Sequence, residues 1–313
     1  LDGTHRLEEV YGLLIASGVA VVDIVAAMRW LDDQGLLQEA GDAGGRTFTE
    51  AEDHRYRAQR VTLATLTGGA AGMSADDPRL GHDEQARLKG ATVTLFGLGK
   101  CGASVVRSLV MAGVGRIVAA PCDASEMDDP PARGLVDRCR ELNPFVRFDL
   151  VAQPDEIPAS LGDVAPDLLV YFADGFDDVF CDWINRISLQ IRVPLLVGRQ
   201  KALEVEIGPL VLPGETACCT CYRLRRRAAL AIPADLDAEQ GRSQGVAFPL
   251  GADLVALEAV RFLVGAEPAT RGRMLHLDVA TGRMGTHSVL RLPRCPSCGV
   301  VRSRPSRKLW DER

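Results

Sequence analysis

Three features of the sequence predict an α/β fold built on a mostly parallel sheet with helices on both faces. The first is the stretch Val93-Thr94-Leu95-Phe96-Gly97-Leu98-Gly99-Lys100-Cys101-Gly102. There an apolar, β-rich run enters Gly-x-Gly-x-x-Gly and then a helical pattern of Val105, Val106, Leu109 and Val110. The first glycine permits a tight turn, the second lets backbone approach a phosphate, and the third lets helix pack on strand. The second feature is the alternation of apolar strand and amphipathic helix between residues 91 and 197, the pattern of a parallel sheet covered on both sides. The third is size and composition: 313 residues, 47% hydrophobic and 25% charged, which suits one large α/β domain with something smaller attached.

Taken in order, residues 1–45 read as a small helical module. Leu7, Val10, Tyr11 and Leu14 follow helical spacing with Thr4 as N-cap, and a second helix runs from about Val21 to Gln34, ended by Gly35. Its core stripe is Val21, Ile24, Met28 and Leu31; a second stripe of Val22, Val25 and Arg29 lies on another face and is the expected peptide-binding surface, with a shared interface to the large domain as the equal alternative. Two such helices bury little surface alone, so the module is expected to be the remnant of a winged helix whose strands precede Leu1. Its acidity argues for a peptide rather than DNA. Asp42–Gly45 reads as a linker, residues 49–66 as a helix, 68–81 as a loop and 84–89 as a short helix. After the glycine turn come a helix at 102–112, a strand at 117–120, a helix at 135–142 and strands near 146–151 and 167–172. A helix at 179–190, a strand at 194–197, a strand-like run at 205–212 and a helix at 252–264 complete the pattern. Residues 46–313 are expected to form the large domain.

The net charge is −6, with residues 291–313 at +5 and the remainder at −11. The basic tail reads as solvated, and no nucleic-acid partner is expected. No run of about 18 apolar residues occurs, so no membrane partner is expected. Nine cysteines in a chain this long fit a reducing, cytoplasmic setting rather than a disulfide scaffold. Four of them form two pairs, Cys218/Cys221 and Cys295/Cys298, with 73 residues between the pairs. Two CxxC pairs supply the four thiolates of a tetrahedral structural zinc site, and the flanking Gly and Pro supply the knuckle turns. Cys219 is an alternative to Cys218 at one residue's shorter spacing. Cys101, Cys122, Cys139 and Cys181 read as packing thiols, with a nucleophilic role for one of them as the alternative. The five histidines form no ligand-spaced pair. Arg223, Arg225, Arg226 and Arg227 read as a solvated helix face, or as a contact for an acidic partner.

The order of motifs resembles the ThiF/MoeB/ubiquitin-activating superfamily. The residues that carry the likeness are Arg55-Tyr56-x-x-Gln59, Leu88-Lys89-x-Ala91-x-Val93, the glycine turn, Ala112-Gly113-Val114-Gly115, Leu142-Asn143-Pro144 and the two knuckles. The run from Gly208 to Cys218 and the helical module before the domain resemble the ThiF-like partner proteins of azoline-forming YcaO cyclodehydratases, including those of thiopeptide pathways. The resemblance implies a Rossmann-type, ThiF-like sheet, a nucleotide site at Gly97, Gly99, Gly102 and Asp174, the last matching a magnesium-binding Asp, and a homodimer. It also implies a module that binds the leader of a ribosomally made precursor peptide for a separate YcaO enzyme.

Departures from the pattern bear on the chemistry. The ribose-holding Asp of adenylating members falls at Pro121, and their Asn-Leu-x-Arg-Gln has no counterpart in 124–133. The expected Lys falls at Pro131, with Arg133 the nearest cation, and the finger Arg falls at Ala58, between Arg57 and Arg60. Adenylyl transfer depends on positioned cations and metal. The expectation is therefore a non-adenylating scaffold with a structural zinc and a vestigial nucleotide site that takes ATP weakly or not at all. The alternatives are an ATP-dependent adenylyltransferase acting on a peptide or small-protein C-terminus, and a winged-helix regulator fused to a vestigial nucleotide sensor.

Overall fold

The computed structural model describes residues 7–33, 47–69, 79–128, 132–157, 164–173, 177–201, 203–230 and 247–299. The N-cap Thr4, the linker at 42–45, Pro131 and Asp174 lie outside them. The chain divides into two compact units, residues 1–53 and 54–313.

In the first unit, α1 (Leu7–Ala16) and α2 (Val21–Asp33) form a helical hairpin. Ser17 closes α1 by donating from Oγ to the Leu14 carbonyl at 2.8 Å, and Gly18 takes the left-handed conformation that turns the chain. Of the stripe expected to be core, only Ile24 is fully buried; Met28 and Leu31 are half-buried and Val21 is 53% exposed. Val21 is the first residue of its helix, where fewer neighbouring turns cover a side chain. Leu13, Ile15, Val19, Val22 and Trp30 are also exposed. Among the described residues of this unit there is no strand.

The helix α3 (Glu50–Thr67) opens with a capping box. Thr49 donates its backbone N–H and Oγ1 to Glu52 Oε2 at 2.7 and 3.0 Å, and Glu52 N–H returns to Thr49 Oγ1 at 3.3 Å.

The second unit is organised by an eight-stranded sheet. Its strands are β1 (Thr92–Phe96), β2 (Arg116–Ala120), β3 (Arg147–Leu150), β4 (Leu168–Tyr171), β5 (Leu195–Lys201), β6 (Glu204–Ile207), β7 (Arg273–Asp278) and β8 (Arg283–Ser288). The spatial order is β3-β2-β1-β4-β5-β6-β7-β8. The first five are mutually parallel, and β5 to β8 are antiparallel. The remaining helices are α4 (His82–Gly90), α5 (Lys100–Ala112), α6 (Leu135–Leu142), α7 (Asp178–Ile191), α8 (Cys219–Leu230) and α9 (Ala247–Val264).

Strand pleating assigns alternate residues to two cores. Val93, Leu95, Ile117, Ala119, Leu168 and Val170 face a core shared with α4, α5, α6 and α9. Phe96, Val118, Ala120, Leu169 and Tyr171 face a second core shared with α7, α8 and the paired cysteines. The sheet is thus mixed, parallel in the half that carries the glycine turn and antiparallel beyond β5.

Several elements extend the sequence reading. Residues 205–212 are not one strand: β6 stops at Ile207, where Gly208 has φ +99°. Leu210 and Val211 then make only isolated bridges to Arg271 and Leu195. The helix α8 extends beyond the helix face read at Arg223, Arg225, Arg226 and Arg227, and the β7–β8 hairpin was not expected. The first starts inside a cysteine knuckle, and β8 is solvent-exposed at nearly every position, so it lacks the apolar alternation that marks a half-buried strand.

Three of the motifs that carry the likeness, at Arg55–Gln59, Ala112–Gly115 and Leu142–Pro144, meet at the far end of α5 from the glycine turn. Asn143, fully buried, donates from Nδ2 to Tyr56 Oη and to the Val110 carbonyl, both at 2.8 Å. Gln59 donates to Gln85 Oε1 at 2.8 Å and to the Ala112 carbonyl at 2.7 Å. Arg55 donates to the Leu142 carbonyl. Gly113 caps α5 at φ +81°, with the Tyr56 ring packed where a Cβ would stand. These residues satisfy the carbonyls that end α5 and fasten α3, α4 and α5 to one another. Their contribution lies in folding.

Candidate functional site

Cys218, Cys221, Cys295 and Cys298 are brought together with all four sulfurs within 4.8 Å of one another. Cys218 Sγ lies 3.8 Å from Cys221 Sγ and 3.6 Å from Cys295 Sγ, and Cys221 Sγ lies 3.5 Å from Cys298 Sγ. A tetrahedron with metal–sulfur bonds of about 2.3 Å has edges of about 3.8 Å, so the cluster is the size of a four-thiolate metal site and can hold an ion. Four protein ligands leave no coordination position open for a substrate.

Neighbouring groups fix the ligands. The Leu292 N–H donates to Cys221 Sγ at 3.3 Å, and Thr220 and Ser297 share a 2.8 Å hydroxyl contact that ties one knuckle to the other. Burial pushes the Cys218 and Cys221 thiols upward, whereas at Cys295 burial is outweighed by the backbone N–H groups of Cys298 and Ser297 and the pKa falls. A metal has to displace protons from the raised pair, so its binding weakens as pH falls.

Cys219 does not replace Cys218. Its backbone N–H donates to Asn185 Oδ1 at 3.1 Å and its thiol partners Cys181, an interaction that together with burial raises its pKa well above that of a free thiol. Burial also raises Cys139, to about 11, and Cys122, the latter helped by Glu126, Asp177 and Asp123. Cys101 is fully buried against Gln200. Raised, buried thiols are poor nucleophiles, in keeping with a packing role.

The arginines after the first knuckle are not a solvated face. Arg223 pairs with Asp182 and Arg226 with Glu206. Arg225 donates to the Leu290 and Arg291 carbonyls at 2.7 and 3.3 Å, which holds the approach to the second knuckle.

The glycine turn joins β1 to α5. Gly97 has φ +105°, and a Cβ there would lie 2.7 Å from the Phe172 carbonyl oxygen; one on Gly102 would lie 1.8 Å from the Gly97 carbonyl oxygen. Gly99 caps α5 with extended backbone. Helix and turn therefore touch backbone to backbone, as the third glycine implies. At the end of β2, Pro121 is buried, and the next residues turn the chain so that Glu126 reaches back. Glu126 Oε2 accepts from Leu98 N–H at 2.8 Å and from Cys122 N–H at 3.0 Å. Glu126 is therefore the carboxylate seated on the turn, whereas Asp177 caps α7 by accepting from the Val179 and Phe180 N–H groups. Nothing in the sequence reading pointed to Glu126; it is spaced like neither a ligand nor a catalytic acid.

The other expected positions are dispersed. Ala58 and Arg57 are exposed on α3 and Arg60 is buried. Arg133 is exposed and pairs with Asp128 at 3.8 Å. Val22 and Arg29 are exposed on α2, with Val25 half-buried.

No family model matches the chain. It is 29% identical over 243 residues to the sulfur carrier protein adenylyltransferase of Thermus thermophilus, covering 71% of this chain and 87% of that protein. It is 23% identical to protein HesA of Leptolyngbya boryana, over 80% of this chain and 87% of the relative. Among solved structures, MccB of Escherichia coli superposes with a TM-score of 0.61 at 17% identity, over 93% of this chain and 85% of MccB. PaaA superposes at 0.59 and 17%, over 89% and 85%. MccB has been solved with ATP, and with AMPCPP and MccA together.

Proposed function

The chain belongs to the ThiF/MoeB-like, E1-like adenylyltransferase superfamily, and within it we propose a member that does not adenylate. In this reading the protein is a scaffold that binds the leader of a ribosomally made precursor peptide and presents it to a YcaO cyclodehydratase for azoline formation. The observation that carries the reading is the Glu126 carboxylate at the glycine turn. Glu126 Oε2 accepts from the Leu98 N–H of the turn and from the Cys122 N–H at the end of β2. Adenylyl transfer needs cations and metal to stabilise developing negative charge. A carboxylate seated on a turn N–H takes a donor away from that charge, and the ribose-acid position is a buried proline, Pro121.

Peptide capture is assigned to residues 1–45, with Val22, Val25 and Arg29 of α2 in contact with the leader. The exposed Val22 supports this, as does the MccB structure that holds AMPCPP and MccA at once, since it places a second ligand on the same fold. Zinc is the metal assigned to the four cysteines, because four thiolates at tetrahedral spacing match its preference. The ion supplies a cross-link between residues 218–221 and 295–298.

The second reading, an ATP-dependent adenylyltransferase acting on a peptide or small-protein C-terminus, is favoured by the names of the relatives and by MccB's complex with ATP. A reconstitution separates the two. Adding the purified chain to a YcaO enzyme, ATP and the precursor encoded beside it is expected to raise cyclisation at least about tenfold, through effective concentration of the bound substrate. A rate unchanged by the chain, with no saturable binding of the precursor, contradicts the scaffold reading.

A further inference from the structure

The donor that Glu126 occupies has a consequence for ligand choice at the turn. Leu98 is the second residue of Gly97-Leu98-Gly99, is fully buried, and directs its N–H to Glu126 Oε2 at 2.8 Å. The same oxygen accepts from Cys122 N–H at 3.0 Å, so one carboxylate bridges the end of β2 and the entrance of α5. A backbone N–H at a strand–turn–helix junction is the kind of donor that phosphate oxygens take, and the positive end of the helix dipole adds to the attraction. The first turn of α5 contains no acidic residue of its own. Negative charge at the turn is supplied instead from Glu126, in the short 3-10 turn Ala124–Asp128.

We propose that Glu126 is the specificity-determining residue of the glycine turn: its carboxylate fills the position of a ligand phosphate and makes the turn reject nucleotides. An approaching phosphate has to break a charge-assisted hydrogen bond and then sit against a like charge in a partly buried site, where salt screens less than at an open surface. The proposal rests on the reading of this chain as a non-adenylating member. It adds that the exclusion is local to one side chain rather than spread over the whole retired pocket.

The test is titration of the purified chain with MgATP by isothermal calorimetry, comparing wild type with Glu126→Gln and Glu126→Ala. Glutamine keeps an oxygen for Leu98 and Cys122 and loses only the charge, so it guards against a misfolded alanine variant. The expected result is roughly tenfold or more tighter MgATP binding in Glu126→Gln, which is the change of one unit in log Kd. Equal affinity in wild type and Glu126→Gln overturns the proposal. Weaker binding in the variant also overturns it, and makes Glu126 an acceptor for ribose hydroxyls instead. Pyrophosphate exchange run on the same samples keeps the two claims apart. Exchange by the wild type defeats the scaffold reading, whereas unchanged affinity without exchange defeats only the assignment to Glu126.

Discussion

Replacing Cys218 with serine is expected to strip the chain of its metal, while replacing its neighbour Cys219 with serine leaves the metal in place. Cys218 Sγ has sulfur partners at 3.8 and 3.6 Å, whereas the Cys219 thiol turns to Cys181. Loss of groups that merely orient ligands lowers metal affinity about 10–100-fold. Loss of a thiolate ligand should exceed that, at more than about 2.7 kcal/mol. Because binding free energy at such sites is folding free energy, the thermal midpoint should fall with it, and the segment after Arg291 should become the first site of proteolytic cutting. Elemental analysis of purified protein gives the readout: one zinc per chain in wild type and Cys219→Ser, and none in Cys218→Ser. Retention of metal by Cys218→Ser, or its loss from Cys219→Ser, places the ligand at the wrong cysteine.

Gly102→Ala is the second large effect. The added methyl would stand 1.8 Å from the Gly97 carbonyl oxygen and 2.5 Å from its carbon. Both are backbone atoms, which cannot rotate aside, so α5 has to move off β1. Overpacking of this kind costs about 3 kcal/mol or more. Gly90→Ala is the matched control, since nothing lies within 4 Å of a Cβ there and the residue ends α4. It should be neutral or stabilising by up to about 1 kcal/mol. Urea denaturation midpoints distinguish them. Equal midpoints for the two variants would show that close packing is not what the third glycine provides.

The features that were legible in the sequence are those that leave a local mark. The glycine turn was readable because Gly97 and Gly102 answer to backbone contacts that no side chain tolerates. The cysteine pairs were readable because two ligands from one knuckle must sit three residues apart. The parallel strands carried apolar runs because both of their faces are buried.

What escaped the reading depends on groups distant in sequence. Tyr56 and Asn143 stood out through resemblance alone; that they bond one another across 87 residues, as part of the framework, has no sequence signal. Arg225 looked like one charge in a run, yet it holds backbone carbonyls 65 and 66 residues away. At the turn the sequence pattern marks what Pro121 lacks, while the residue that acts on Leu98 is Glu126, five positions further on. The strand β8 gave no pattern because water faces most of it.

The measurement that tests the central claim most directly is ATP–pyrophosphate exchange by the purified wild-type chain, alone and with precursor peptide. With the Glu126 carboxylate on the glycine turn and a proline in the ribose-acid position, exchange at the level of a protein-free blank is predicted under both conditions. Exchange well above the blank that is lost in Asp174→Ala would contradict the account and make the chain an adenylating enzyme.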